Sequence, residues 1–278
     1  MGIPKIGHAP RLAQDLAISQ DFRLCVAMGM YPGYKVVDKF GENPDVDTNT
    51  DPEDIWEAGG LYTYDADGTA PIVSLISSES ADDQVIAVEG LDINGWTVVQ
   101  YITLTGDTRV ALDTPLWRVY RMINVGSTNI AGTVYCYTGT GGVPAIGLTR
   151  AICTPGNDQT LMCIYTVHRG KVAFIFRGEI GASRGVTAGE ARCAFYVRPF
   201  GGIFLQQKRV NLSNAGTSIY ADYRSFPVVA PGRTDLRLTV ESTSANDIGI
   251  FGTFDMLIVD EELFTNHYLA SIRQPGYN

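Results

Sequence analysis

The chain has 278 residues, 45% of them apolar, with a formal charge of −9 and a pI near 4.8. That is enough apolar material for one large core or two modest ones, which excludes disorder of the whole. The acidity argues against nucleic acid as a main partner, because phosphate binding needs a clustered basic surface. No apolar run approaches the roughly 20 residues of a membrane span, and Asp15 and Asp21 interrupt the stretch after Lys5 and Arg11, so no transmembrane helix, membrane partner or secretory signal is expected and synthesis in a cytoplasm is.

Residues 1 to about 34 carry a weak helical period at Leu12, Leu16 and Ile18, followed by Met28, Met30, Tyr31 and Pro32, which predicts a short helix and then extended chain. From Lys35 to Asp83, thirteen acids face two lysines, a local charge of −11 against −9 for the whole chain. A ribbon of one sign reads as an attachment or ion-binding stretch. Gly41, Pro44, Pro52, Gly59 and Gly60 punctuate it too often for long regular elements, so residues 1–66 are expected to form an ordered arm. Inside the arm, Asp51 can cap free amides, Pro52 suits a first helical position and Glu53 and Asp54 complement the helix dipole. One or two turns of helix are therefore predicted from Asp51 to Ala58, with Ile55 and Trp56 as anchors and Gly59 and Gly60 as the stop.

From about residue 70 the texture becomes period-two. In the run Asp235 to Glu241 every second residue is apolar, as in an antiparallel strand with one face on a core and one in water. Similar runs lie at Val85 to Val88, Trp96 to Leu104, Leu116 to Ile123, Thr133 to Tyr137, Leu161 to Val167, Val172 to Glu179, Arg192 to Val197, Ile203 to Val210 and Phe251 to Val259. Gly201 and Gly202 suit a tight hairpin turn. A break at Cys153 to Asp158 divides the β region into units at 67–152 and 158–262, leaving a tail at 263–278. The fold class expected is mainly β: two antiparallel β-sandwich or jelly-roll-like units, of five or six and seven or eight strands, preceded by an extended N-terminal arm with a short helix.

Chemistry-bearing patterns are sparse. Asp45, Asp47, Asn49 and Asp51 place oxygen ligands at alternate positions, as a calcium loop begins. Thr50 stands where the loop needs glycine, and Trp56 where it needs a bidentate acid, so polar turns account for the run more simply; no cofactor is expected, with calcium the minor alternative. The histidines, His8, His168 and His267, neighbour no catalytic motif, and no GxSxG, HExxH or CxxC is present. No catalytic residue is assigned. The five cysteines are read as small buried hydrophobes. Trp96 and Trp117 could offer rings to a glycan, although a Trp on an alternating strand is more often core.

The string from Lys39 to Tyr62, KFGENPDVDTNTDPEDIWEAGGLY, resembles a signature of virion structural proteins of environmental tailed bacteriophages, and Val197 to Phe204, VRPFGGIF, is similar to a second recurring piece of that group. The resemblance spans about residues 36–262. It implies a non-enzymatic particle component in many copies, capsid- or tail-associated, and brings no catalytic residues. An arm too short for its own core yet carrying Phe40, Ile55, Trp56, Leu61, Tyr62 and Tyr64 must bury them against its own β unit or another subunit, and burial against another subunit is the expectation. The partner expected is a major capsid protein or other virion subunit, in a homotrimer or higher assembly. A capsid-surface decoration, cement or head-fibre-base role is favoured over a tail or neck component, with a virion-borne carbohydrate-binding protein as the rival of a different class.

Overall fold

The computed structural model describes residues 22–50, 52–182, 189–213, 218–222 and 227–263. Leu12, Leu16, Ile18, Asp51 and the tail beyond residue 263 lie outside the described residues. A six-residue helix, α1 (Phe22–Ala27), precedes β1 (Tyr34–Val46) and the two-residue β2 (Glu53–Asp54). There follow β3 (Ile72–Ser77), β4 (Val85–Leu91), β5 (Thr97–Thr103), β6 (Val110–Leu116), β7 (Arg118–Asn124), β8 (Val134–Thr138) and β9 (Thr149–Cys153). The remainder is β10 (Ile164–Thr166), β11 (Lys171–Ala182), β12 (Glu190–Arg198), β13 (Leu205–Ser213), β14 (Ser218–Asp222), β15 (Val228–Pro231), β16 (Asp235–Thr243) and β17 (Ile248–Asp260).

The chain is mainly β, and the pairings between these strands are antiparallel. One sandwich sets the sheet β6-β3-β8-β9 against β5-β4-β7. The other sets β1-β17-β11, with β14 and β15 sharing the far edge of β11, against β13-β12-β16, with β10 and β2 sharing the far edge of β16. Sequence periodicity missed β3 and β9 because nearly all of their residues are buried, which removes the alternation a half-exposed strand displays.

The expected separate arm does not exist as such. β1 pairs with β17 from Tyr34 opposite Val259 to Asn43 opposite Ile250, then through a bulge to Val46 opposite Ile248, making it an integral edge strand of the second sandwich. The helix predicted from Asp51 to Ala58 is also absent over its described residues. Glu53 and Asp54 pair instead with Val240 and Thr239, the Ile55 amide donates to the Leu238 carbonyl (2.9 Å), and the Ile55 carbonyl accepts from the Cys163 amide (2.9 Å). Local helix signals lose here to long-range backbone pairing. Gly59 and Gly60 adopt positive φ (69° and 65°), curling the chain so that the Gly60 carbonyl accepts from the Asp54 amide (3.0 Å) and Trp56 Nε1 (2.9 Å).

Two hydrophobic cores result, and they share walls. Met162 and Ile164 enter the core of the first sandwich, whereas Cys163 and Tyr165 enter that of the second. Ile55 and Trp56 divide the same way, as do Leu116 and Trp117. Extended backbone sends successive side chains to opposite faces, so a strand lying between the two cores serves both.

Candidate functional site

The seam between the sandwiches concentrates the charged and aromatic side chains. At its centre the buried Asp235 accepts from Arg118 Nε and Nη2 (3.0 and 3.3 Å), from Arg198 Nε and Nη2 (2.9 and 2.5 Å) and from Thr166 Oγ1 (2.5 Å). Arg118 comes from β7 of the first sandwich and is itself buried. Around this pair cations and rings alternate: Arg118 and Arg198 lie 5.2 and 4.8 Å from the Tyr64 ring, and Arg198 and Arg237 lie 4.8 and 4.1 Å from the Phe204 ring. Guanidinium groups stack readily on ring faces, so the ladder holds the second sandwich to the first without leaving a buried charge unpaired.

Part of the acidic ribbon feeds this seam, while Asp38, Asp45, Glu79 and Asp83 stay exposed. Asp65 pairs with Arg150 (2.7 and 2.8 Å), Asp67 accepts from the Gly201 amide (2.9 Å), and Glu57 accepts from Thr154 and Asn157 (2.6 and 2.7 Å). Buried Asp54 takes Arg237 (3.0 Å), Thr239 (2.5 Å) and the Tyr62 amide (2.9 Å); burial pushes its carboxyl above the usual range, against the opposing pull of those three donors. Buried Glu53 accepts from Asn43 (2.9 Å) and the Gly60 amide (2.7 Å). These acids are mortar for the chain's own fold, because the bases that meet Asp67, Asp65 and Asp54 arrive from positions 118, 150 and 237, far along the sequence.

The expected interface residues separate accordingly. Trp56 is 1% exposed, and Ile55 and Tyr62 are likewise buried, while Tyr64 is partly buried under the arginine ladder. Their rings are shielded by this chain's own body, which overturns the expectation that another subunit covers them. Phe40 and Leu61 stay exposed. Of the two tryptophans offered to a glycan, Trp117 is a core residue with its ring against Arg118 (4.1 Å), so it presents no platform; Trp96 is 51% exposed, with Arg169 5.4 Å from its ring.

Asp45 and Asp47 do come together, though with Asp247 of the β16–β17 turn and not in a linear loop; their carboxylate oxygens lie within 4.8 Å of one another. Asn49 is exposed on the adjacent turn. Burial, then the charges of Asp47 and Asp247, raise the Asp45 carboxyl. Exposed acidic groups of this kind are common without an ion.

A cleft of ≈ 320 Å³ opens on the seam where β1 diverges from β7 and β10. Lys39 lies in its wall, 7% exposed, donating to the Tyr120 carbonyl (2.6 Å). Desolvation by the surrounding protein draws its ammonium down to about 8. His168 closes one end: it stacks on Tyr120 (5.6 Å between centroids), with Nδ1 2.6 Å from Thr97 Oγ1 and Nε2 2.9 Å from the Tyr165 hydroxyl. Burial, with Lys35 and Lys171 adding repulsion, lowers His168 to about 4, so the imidazole is neutral at pH 7. Sequence reading assigned neither residue to a site. The available signal was a lysine on the inward row of an edge strand, and that signal needed β1 to be recognised first.

No protein-family model matches the chain, and no curated protein does. Similar solved structures include the infectious bursal disease virus Gt strain (14% identity, TM-score 0.23, 86% of this chain and 77% of that one). They also include the infectious bursal disease virus VP2 subviral particle (11%, 0.23, 84% and 74%) and the PBSX exported protein XepA (12%, 0.20, 79% and 86%). At TM-scores this low no residue role passes from them to this chain.

Proposed function

We propose that the chain is a non-enzymatic structural subunit of a tailed-phage virion, a capsid-surface decoration, cement or head-fibre-base protein that contacts the major capsid protein. The observation that carries this reading is an apolar rim around the strap of residues 61–67. Leu61 on the strap, Ile146 and Leu148 on the 3-10 turn, and Ile203 and Leu205 at the β12–β13 hairpin are all exposed, Ile203 by 74%. These elements are tied to one strap: Arg150 bonds both Asp65 and the Gly147 carbonyl (2.9 Å), Gly201 bonds Asp67, and Phe204 packs on Tyr64 (5.0 Å). Large apolar side chains clustered on fixed loops and rimmed by polar groups mark protein contact surfaces.

The contact surface of this proposal therefore replaces burial of the front aromatics. The same rim would serve a tail or neck component, with copy number separating the two placements: hundreds of copies per particle for a head, about six to eighteen for a tail. Ile203→Glu with Leu205→Glu alters only exposed positions, so the variant should fold with an unchanged far-ultraviolet spectrum and be lost from purified particles, as read by quantitative mass spectrometry. Full occupancy of the variant would sink the proposal. The virion-borne carbohydrate-binding alternative now rests on Trp96, and a glycan array showing binding abolished by Trp96→Ala would select it.

A further inference from the structure

We propose that the cleft between β1 and the first sandwich is a binding site for a small organic anion, a carboxylate- or phosphate-bearing molecule anchored by Lys39. Positions 35, 37, 39, 41 and 43 form the inward row of β1, and from 39 to 43 that row is buried. An apolar residue would be ordinary at position 39. A lysine there gives up hydration, and the Tyr120 carbonyl is its one hydrogen-bond acceptor among the described residues. An ammonium has three N–H donors. Two donors are therefore left without an acceptor among the described residues, on a side chain that lines a cavity of ≈ 320 Å³, at the small end of the roughly 300–1,000 Å³ typical of ligand pockets.

The other charges facing the cleft fix the sign and polarity of the ligand. Lys35 shares the inward row at the mouth, and Arg121 of β7 lines the opposite wall with no ion-pair partner among the described residues. Two carboxylates oppose them. Asp38 lies on the outward row and accepts from Thr253 (2.6 Å), while Glu89 is the cross-strand neighbour of Arg121. Three cations against two anions leave a net single positive charge, suited to a ligand with its anionic head at Lys39. His168 contributes a surface fixed by its two hydroxyl partners and no charge, because burial disfavours the imidazolium.

Isothermal titration of the full chain at low ionic strength, with inorganic phosphate and with succinate as probes, tests the assignment. Saturable one-site binding is expected, weakened at least tenfold by Lys39→Met and a few-fold by Arg121→Gln. Binding of phosphate alone would identify a phosphate ester, and of succinate alone a carboxylate. Succinate affinity should also fall as pH rises through about 8, where Lys39 loses its proton. In that window Cys163, Tyr120 and Tyr165, all pushed upward by burial, stay protonated, and His168 stays neutral. The pH profile and Arg121→Gln decide the matter even if Lys39→Met fails to fold. Absence of saturable binding by both probes, unchanged affinity in Lys39→Met, or a flat succinate profile from pH 7 to 9 would each overturn it.

Discussion

His168 shows how one side chain acquires a structural role that its neighbours in sequence do not announce. Its two ring nitrogens bridge Thr97 of the first sandwich and Tyr165 of the second, and a neutral imidazole satisfies that pair by donating at one nitrogen and accepting at the other. Because its folded-state pKa, about 4, lies below the ordinary 6.5, the stability it contributes is complete above pH 6.5 and is lost as pH falls through about 4. His168→Phe should remove this dependence. The stability difference between wild type and variant, from urea unfolding between pH 7.5 and 4, should narrow by roughly 2–3 kcal/mol on acidification. A difference constant across that range would show that the ring is not held neutral by its site.

At the scale of elements, β1 decides how the second sandwich closes. Its backbone crosses that of the segment leading into β10 so closely that a Cβ on Gly41 would lie 2.4 Å from the Cys163 amide nitrogen and 2.7 Å from the Met162 carbonyl carbon. Both obstacles are backbone, which has little room to yield. Gly41→Ala is therefore expected to destabilise the protein by roughly 1–3 kcal/mol, measured by chemical denaturation, despite adding one methyl group. An unchanged midpoint would mean that β1 rides free of β10. This closeness also explains why the cleft begins where it does: at Gly41 the strands touch, and toward Tyr34 they part, leaving Lys35 and Lys39 along the opening. Removing residues 1–64, which an independent arm would tolerate, would here strip an edge strand and the core residues Val46, Ile55, Trp56 and Tyr62 from the β body.

For the whole molecule, the question is what makes two sandwiches one unit. The shared walls at Ile55 and Trp56 and at Met162 to Tyr165 give each core residues from the same short segments, and the Arg118–Asp235–Arg198 cluster fastens them between. Taking away the acid leaves buried Arg118 with only the longer carboxylate contact to Asp67 (3.6 Å) and strips Arg198 of its partner, so Asp235→Ala should cost about 3–5 kcal/mol. It should do so in a single cooperative transition seen alike by calorimetry and tryptophan fluorescence, since Trp56 and Trp117 sit in different cores. Two resolved transitions in the wild-type protein would show that the cores melt independently. A single unit of this kind is what the proposed particle subunit requires, since it presents hairpin-borne apolar side chains in fixed geometry.

The amino-acid order by itself determined the β class, the strands whose one face is wet, such as Asp235 to Glu241, and the turn at Gly201. These are written locally, in alternation and in glycine placement. It also showed that the residues after 34 are unusually acidic, but not what that acidity is for. Only the tertiary structure decided that Asp54, Asp65 and Asp67 meet guanidinium groups or amides drawn from more than 80 positions away, that Ile55 and Trp56 face two different cores, and that Lys39 lines a cavity. Charge pairing and burial depend on distance in space, and a linear pattern carries no record of which remote partner the chain will bring near.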